Sequence, residues 1–197
     1  MDYVKENKVI QVLNPEFKEL NKHNAEMYID GKKIGFSNFL YALYLSSSNE
    51  TRHQIELKFE SKLSTTKNMF KDCEDIKEFD LIDFDSENVD DSSGMFKNCI
   101  NLTDVELGTS FKHNTIGNMS SMFENCEKLE RLDLKMFNTS SVEDMSFMFR
   151  GDKNLKNITV KSFDTHEVTS MKSMFENCTN LESYRLLYTD SFFIKQF

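Results

Sequence analysis

The sequence predicts an α/β fold: a right-handed solenoid of about five strand-plus-helix units behind a β-rich N-terminal cap. Three observations predict it. Met-Phe recurs at Met69-Phe70, Met95-Phe96, Met122-Phe123, Met148-Phe149 and Met174-Phe175, with the phenylalanines 26, 27, 26 and 26 residues apart. Three residues past each Phe stands Cys73, Cys99, Cys126, Asp152 or Cys178, and three further on Ile76, Leu102, Leu129, Leu155 or Leu181. Each unit also carries two apolar periodicities, which marks two kinds of element.

Residues 1–62 lie outside the repeat, and their first 20 are weakly patterned around Pro15. The segment EMYIDGKKIGF places Asp30-Gly31 between apolar runs, a hairpin signal. In HQIELKFESKL, Ile55, Leu57 and Phe59 alternate with Glu56, Lys58 and Glu60, as a half-buried strand requires. These strands are expected to cover the open end of the first repeat, whose edge would otherwise be unpaired.

Residues 63–188 form the repeat region, with the consensus MFxxCxxLxxLxLxxFxTxxVxxM. In the LxxLxL part, Leu132 and Leu134 flank Asp133, a period of two that predicts a short strand. In the part that follows, Val142, Met145, Met148 and Phe149 are spaced three, three and one, which predicts a short helix capped by Thr139, Ser140 or Ser141. The single extra residue lies at Gly108, Thr109 and Ser110, in a strand-exit loop. Residues 189–197 form an apolar tail whose Phe192, Phe193, Ile194 and Phe197 cap the last unit or bind another surface. The composition follows from this plan: 18 Phe serve as core filler used twice per unit, while 6 Gly and 1 Pro suffice for short, fixed turns.

The LxxLxLxxF strand followed by TxxVxxMxxMFxxC resembles the BspA-type leucine-rich-repeat family of bacterial, mycoplasma and protist surface proteins. Examples are LTDVELGTSFKHNTIGNMSSMFENC and LERLDLKMFNTSSVEDMSFMF, and the likeness covers about Leu63 to Leu186. It implies a leucine-rich-repeat horseshoe and a surface for binding or adhesion. Unit four departs from the motif with Asp152 in place of Cys, and unit one with Ser92 where Met119, Met145 and Met171 stand later.

Charge and motifs narrow the function. With 24 Lys and Arg against 33 Asp and Glu, a net of −9, the chain is poorly suited to a phosphate backbone, so nucleic acid is not an expected partner. No apolar run approaches the roughly 20 residues of a membrane span. The first residues do not read as a secretory signal, which suggests a cytoplasmic location by default, against the cell surface that the resemblance implies. The four cysteines share one repeat position and form no CxxC pair, so buried packing is favoured over disulfides or zinc. Asp83, Asp85 and Glu87 imitate the start of a calcium loop, but Asn88 and Gly94 stand where Gly and Glu are needed. His23, His53, His113 and His166 have no matched nucleophile, and no catalytic residue, metal site or cofactor is expected. Six N-x-[ST] triplets follow from the Asn and Ser/Thr richness of the repeat.

The outward residues of the strands are the candidate binding surface: Glu78, Asp80, Asp104, Glu106, Arg131, Asp133, Lys135, Lys161 and Arg185, with Asn157, Thr159 and Ser183 between them. This face runs from acidic to basic, and such a gradient would steer a partner of complementary polarity. A non-enzymatic module that binds a protein or polymer through this face is the expected function. The alternative is a structural scaffold that self-associates through its C-terminal end.

Overall fold

Asp30 and Gly31 both take positive φ, 49° and 76°, in the two-residue turn that joins β2 (Ala25–Ile29) to β3 (Lys32–Ile34). That is the geometry of the tight hairpin expected from the Asp-Gly pair. The computed structural model describes residues 9–41, 53–107, 109, 111–112, 115–160 and 163–182. Also ahead of the repeats are β1 (Val9–Gln11), β4 (Phe39–Tyr41) and β5 (Ile55–Phe59), and two antiparallel sheets result, β1–β4 and β3–β2–β5. Within the repeats, β6 (Glu78–Asp80) pairs in parallel with β7 (Asp104–Glu106), and β8 (Arg131–Asp133) with β9 (Asn157–Thr159).

The expected α/β solenoid of leucine-rich-repeat character does not form. Among the described residues there is no helix, only short strands in small separate sheets, and the fold is all-β. The reason lies in the backbone between Met119 and Cys126 and its equivalents. Ser121 and Asn125 have φ of 56° and 63°, and the same two positions are left-handed in every unit, as at Phe147 with Gly151 and at Asn98 with Gly94. A left-handed residue every fourth position cannot continue a right-handed helix. The segment is instead a run of tight turns, in which the N–H groups of Met122, Glu124 and Cys126 donate to the carbonyls three residues back, Met119, Ser121 and Phe123.

The alternate N–H groups leave the repeat altogether. Those of Met119, Ser121, Phe123 and Asn125 donate to the carbonyls of Asp144, Ser146, Met148 and Arg150 in the next unit, at 2.8–2.9 Å. The equivalent donors from Thr66, Ser92 and Met145 onward make the same crossings at the other junctions. Backbone hydrogen bonds that a helix would spend internally therefore join neighbouring repeats, and every second N–H is satisfied in this way. Parallel bridges Thr65↔Asp91↔Asn118↔Asp144↔Ser170 run through the same line of residues. An Asx turn opens each run where Asp91, Asn118 and Asp144 accept the N–H of Ser93, Ser120 and Ser146 through Oδ1.

Two columns of phenylalanine fill the interior between repeats. Phe70, Phe96, Phe123, Phe149 and Phe175 lie with ring centroids 5.6, 5.2, 5.9 and 5.3 Å apart and planes within 19° of parallel. Phe84, Phe111 and Phe137 form the second, at 5.9 and 4.8 Å. All of these contacts are stacked except the tilted Phe84–Phe111 pair, and ring contacts at such distances add to the area buried by each ring. The departure at Ser92 is compensated locally, because the buried Thr66 Oγ1 donates to Ser92 Oγ at 2.8 Å where later units pack methionine.

The segment from Gln11 to Leu20 meets the first repeat through hydrogen bonds as well as apolar contact. Asn14 N–H donates to the Met69 carbonyl at 2.9 Å, Gln11 Nε2 donates to Lys71 O at 2.7 Å, and the Glu19 carboxylate accepts the Ser64 N–H at 2.8 Å. The carbonyls of Met69 and Lys71 belong to the row that later repeats use for their crossings, so part of that row is satisfied by this segment. Leu13, Phe17 and Leu20 share one apolar cluster with Leu63 and Met69. The apolar tail from Phe192 to Phe197 and the loop residues Gly108 and Ser110 lie outside the described residues.

Candidate functional site: the exposed strand face

Each repeat strand is three residues long and turns only its middle side chain inward, burying Val105 and Leu132 and half-burying Phe79 and Ile158, while both flanking residues point to solvent. The inward side chains belong to the core or pack against it, so their burial fixes which way the flanking charges face. Register then sets the neighbours. Glu78 lies opposite Asp104 and Asp80 opposite Glu106 in one parallel pair; Arg131 lies opposite Asn157 and Asp133 opposite Thr159 in the other.

Seven of the nine candidate residues are therefore placed on view: Glu78, Asp80, Asp104, Glu106, Arg131, Asp133 and Lys135 are described, and Lys161 and Arg185 lie outside the described residues. The four carboxylates of β6 and β7 are brought together as two like-charged pairs on strands about 4.8 Å apart, an arrangement that weakens the sheet rather than strengthening it. Asp80 Oδ1 accepts the Ile82 N–H at 3.0 Å, closing the strand exit. Asp133 does the same for the Lys135 N–H at 3.0 Å and also takes Lys135 Nζ at 2.7 Å. The Lys135 ammonium and the backbone N–H beside it hold the Asp133 carboxyl below the usual carboxylate range. Two of the charges read as a gradient thus answer each other, and the described part of the face runs from acidic at β6–β7 to mixed at β8–β9.

The other chemistry-bearing residues are occupied structurally. Cys73, Cys99 and Cys126 are buried and all four thiols are free. Burial pushes the thiols of Cys73 and Cys178 up to about 12 and those of Cys99 and Cys126 well above the ordinary range, which suppresses the reactive thiolate. Lys62 pairs with Asp85 at 3.6 Å and with Glu87, so two carboxylates of the calcium-like stretch face a lysine. His53 and His166 pair with Asp30 and Asp164 at 2.7 and 2.6 Å. Among the described residues no group of three or more His, Cys, Asp or Glu is placed to hold a metal ion. No helix of the described residues is long and apolar enough to cross a membrane.

An ion-pair ladder on the turn side was not read from the sequence. The buried Glu124 takes Lys97 of the preceding repeat at 2.7 Å and Arg150 of the following one at 3.7 Å, and Arg150 continues to Glu176 at 3.1 Å. Its signal was available as a column of charges one repeat apart, Lys97, Glu124, Arg150 and Glu176.

Fold and face together define a class: an all-β repeat protein of about 26-residue units with charged residues displayed along one line of short strands. Residues 49–128 and 101–185 match the family described as Mycoplasma protein of unknown function, DUF285, and the two stretches together span well over half of the 197 residues. The chain belongs to that family. No curated protein and no solved structure matches it.

Proposed function

We propose that this chain is a non-enzymatic binding module that takes a basic segment of a protein or polymer along the exposed faces of β6 to β9. The observation that carries the reading is the pairing of Glu78 with Asp104 and of Asp80 with Glu106 on adjacent strands, where like charges oppose sheet formation. A cationic partner would relieve that repulsion, and surface charge of one sign speeds encounter with the opposite sign. The likeness of the repeat to BspA-type units, which occur in surface proteins, supports a binding role; the helix-bearing architecture of those units is not carried over.

The test is binding of polylysine to the full chain at low and moderate salt. Combined replacement Glu78→Gln, Asp80→Asn, Asp104→Asn and Glu106→Gln is expected to weaken binding by about tenfold or more, about 1.4 kcal/mol, with a shallower salt dependence. The control neutralises Glu16, Glu60, Glu143 and Glu167, which are exposed and lie outside the four strands. An equal loss in the control would assign the effect to net charge and refute a site on the strands.

A further inference from the structure

We propose that Asp152 is a pH-sensing latch in the repeat stack: seated as the neutral acid it holds the third, fourth and fifth repeats in register, and losing its proton drives that seam apart. This inference stands on the buried column of the core and is independent of the strand-face reading.

The column consists of Cys73, Cys99, Cys126, Asp152 and Cys178, one from each successive repeat. Its later thiols play one repeated part. Cys99 Sγ donates to the Phe70 carbonyl at 3.2 Å, Cys126 Sγ to Phe96 O at 3.3 Å, and Cys178 Sγ to Phe149 O at 2.9 Å. A thiol brings its own proton to this place, and a carboxylate brings none. Asp152 is 0% exposed there. Its Oδ1 accepts the Cys126 N–H at 2.8 Å, whereas Oδ2 has no hydrogen-bond partner among the described residues. An ionised Asp152 would therefore be a buried charge with one oxygen unsatisfied, the costliest form the side chain can take. The neutral acid carries an O–H on that oxygen and matches the donor character of its column.

The titratable groups around it offer the anion no relief. Cys126 and Cys178, on the repeats to either side, are uncharged thiols raised by their own burial. Glu124 adds a like charge, and its cations Lys97 and Arg150 are engaged by Glu124 itself. Burial, with the repulsion from Glu124 beside it, pushes the Asp152 carboxyl well above the ordinary carboxylate range, against the opposing pull of the Cys126 N–H. The sign follows. With the folded value above an unfolded value of about 3.9, the folded chain binds the extra proton. The stability linked to it is fully present below about pH 4 and falls as pH rises toward the folded value.

The experiment is denaturant unfolding of the full chain across about pH 4 to 8, with wild type compared to Asp152→Asn and to Asp152→Cys, the residue of the other repeats. The ratio of the wild-type to variant unfolding constants is expected to climb by up to about tenfold per pH unit, since every other carboxylate cancels in the ratio. Infrared spectra of folded wild type at neutral pH should show the carbonyl stretch of a protonated carboxyl group that Asp152→Cys lacks. The infrared measurement needs only one variant to fold, so a misfolded Asn variant leaves the question decidable. A ratio that stays flat with pH, or a wild-type spectrum without the protonated band, would overturn the proposal.

Discussion

Phe123→Ala is expected to lower folding stability by about 3–5 kcal/mol, the range for removing a buried aromatic ring from a close-packed core. Phe123 is fully buried at the centre of its column, with Phe96 on one side at 5.2 Å and Phe149 on the other at 5.9 Å. Truncation there breaks two ring contacts at once and opens a void between two junctions that the turn backbones hold at fixed spacing. Those backbones donate from Phe123 to Met148 and from Phe96 to Met122, at 2.9 and 2.8 Å, so the neighbouring repeats cannot collapse into the gap without losing hydrogen bonds. Urea denaturation reads the loss as a shift of the midpoint at unchanged slope. Asp133→Ala, on the exposed strand face, should cost less than about 0.5 kcal/mol in the same assay. Similar costs for the two would refute the division into a packed interior and a displayed face.

The second large effect is expected at Gly151. Its φ is +80°, and a Cβ added there would stand 2.2 Å from Asn125 Oδ1. Its own column carries a side-chain ladder, in which Asn98 Nδ2 donates to Asp72 Oδ1 at 2.7 Å and Asn125 Nδ2 to Asn98 Oδ1 at 2.9 Å. Gly151 ends that ladder by leaving room for the last amide. Gly151→Ala forces a left-handed alanine, about 1–2 kcal/mol, and displaces Asn125, for a total of about 2–4 kcal/mol when overpacking is added. Gly151→Asn should cost less, because Asn98, Asn125 and Asn177 already adopt this conformation in their own repeats. Thermal unfolding of the two variants side by side checks the order, and an alanine variant as stable as wild type would contradict the left-handed turn.

What was legible in the sequence was whatever depends on burial alone. The 26-residue phase, the phenylalanine core filler, the burial of Cys73, Cys99 and Cys126 and the outward residues of the described strands follow from the pattern of apolar and polar side chains, while the hairpin follows from the tolerance of Asp30-Gly31 for positive φ. Turns stand where a helix is expected because a spacing of three, three and one at Val142, Met145, Met148 and Phe149 suits two backbones equally. A helix puts these side chains on one face, and consecutive three-residue turns point them inward just as well. The discriminating signal was the residue before each Cys or Asp of the motif: Asp72, Asn98, Asn125, Gly151 and Asn177. Asp, Asn and Gly are the types that tolerate positive φ, and five in register argue for turns over a helix. The other left-handed position gave no such warning, since Ser121, Phe147 and Ser173 stand there beside Asn68 and Gly94, and neither serine nor phenylalanine favours positive φ. Likewise the face was legible as positions, but its charge balance was not, because the pairing of Asp133 with Lys135 depends on the strand-exit turn.

Backbone hydrogen bonds that cross from one turn run to the next join the repeats. The most direct measurement is scalar coupling across hydrogen bonds by NMR, which correlates an amide nitrogen with the carbonyl carbon it donates to. The Phe123 amide is predicted to correlate with the carbonyl of Met148, 25 residues ahead, and the Asn125 amide with that of Arg150. Correlation of the Phe123 amide with Met119, four residues back, would mean a helix and would contradict the fold described.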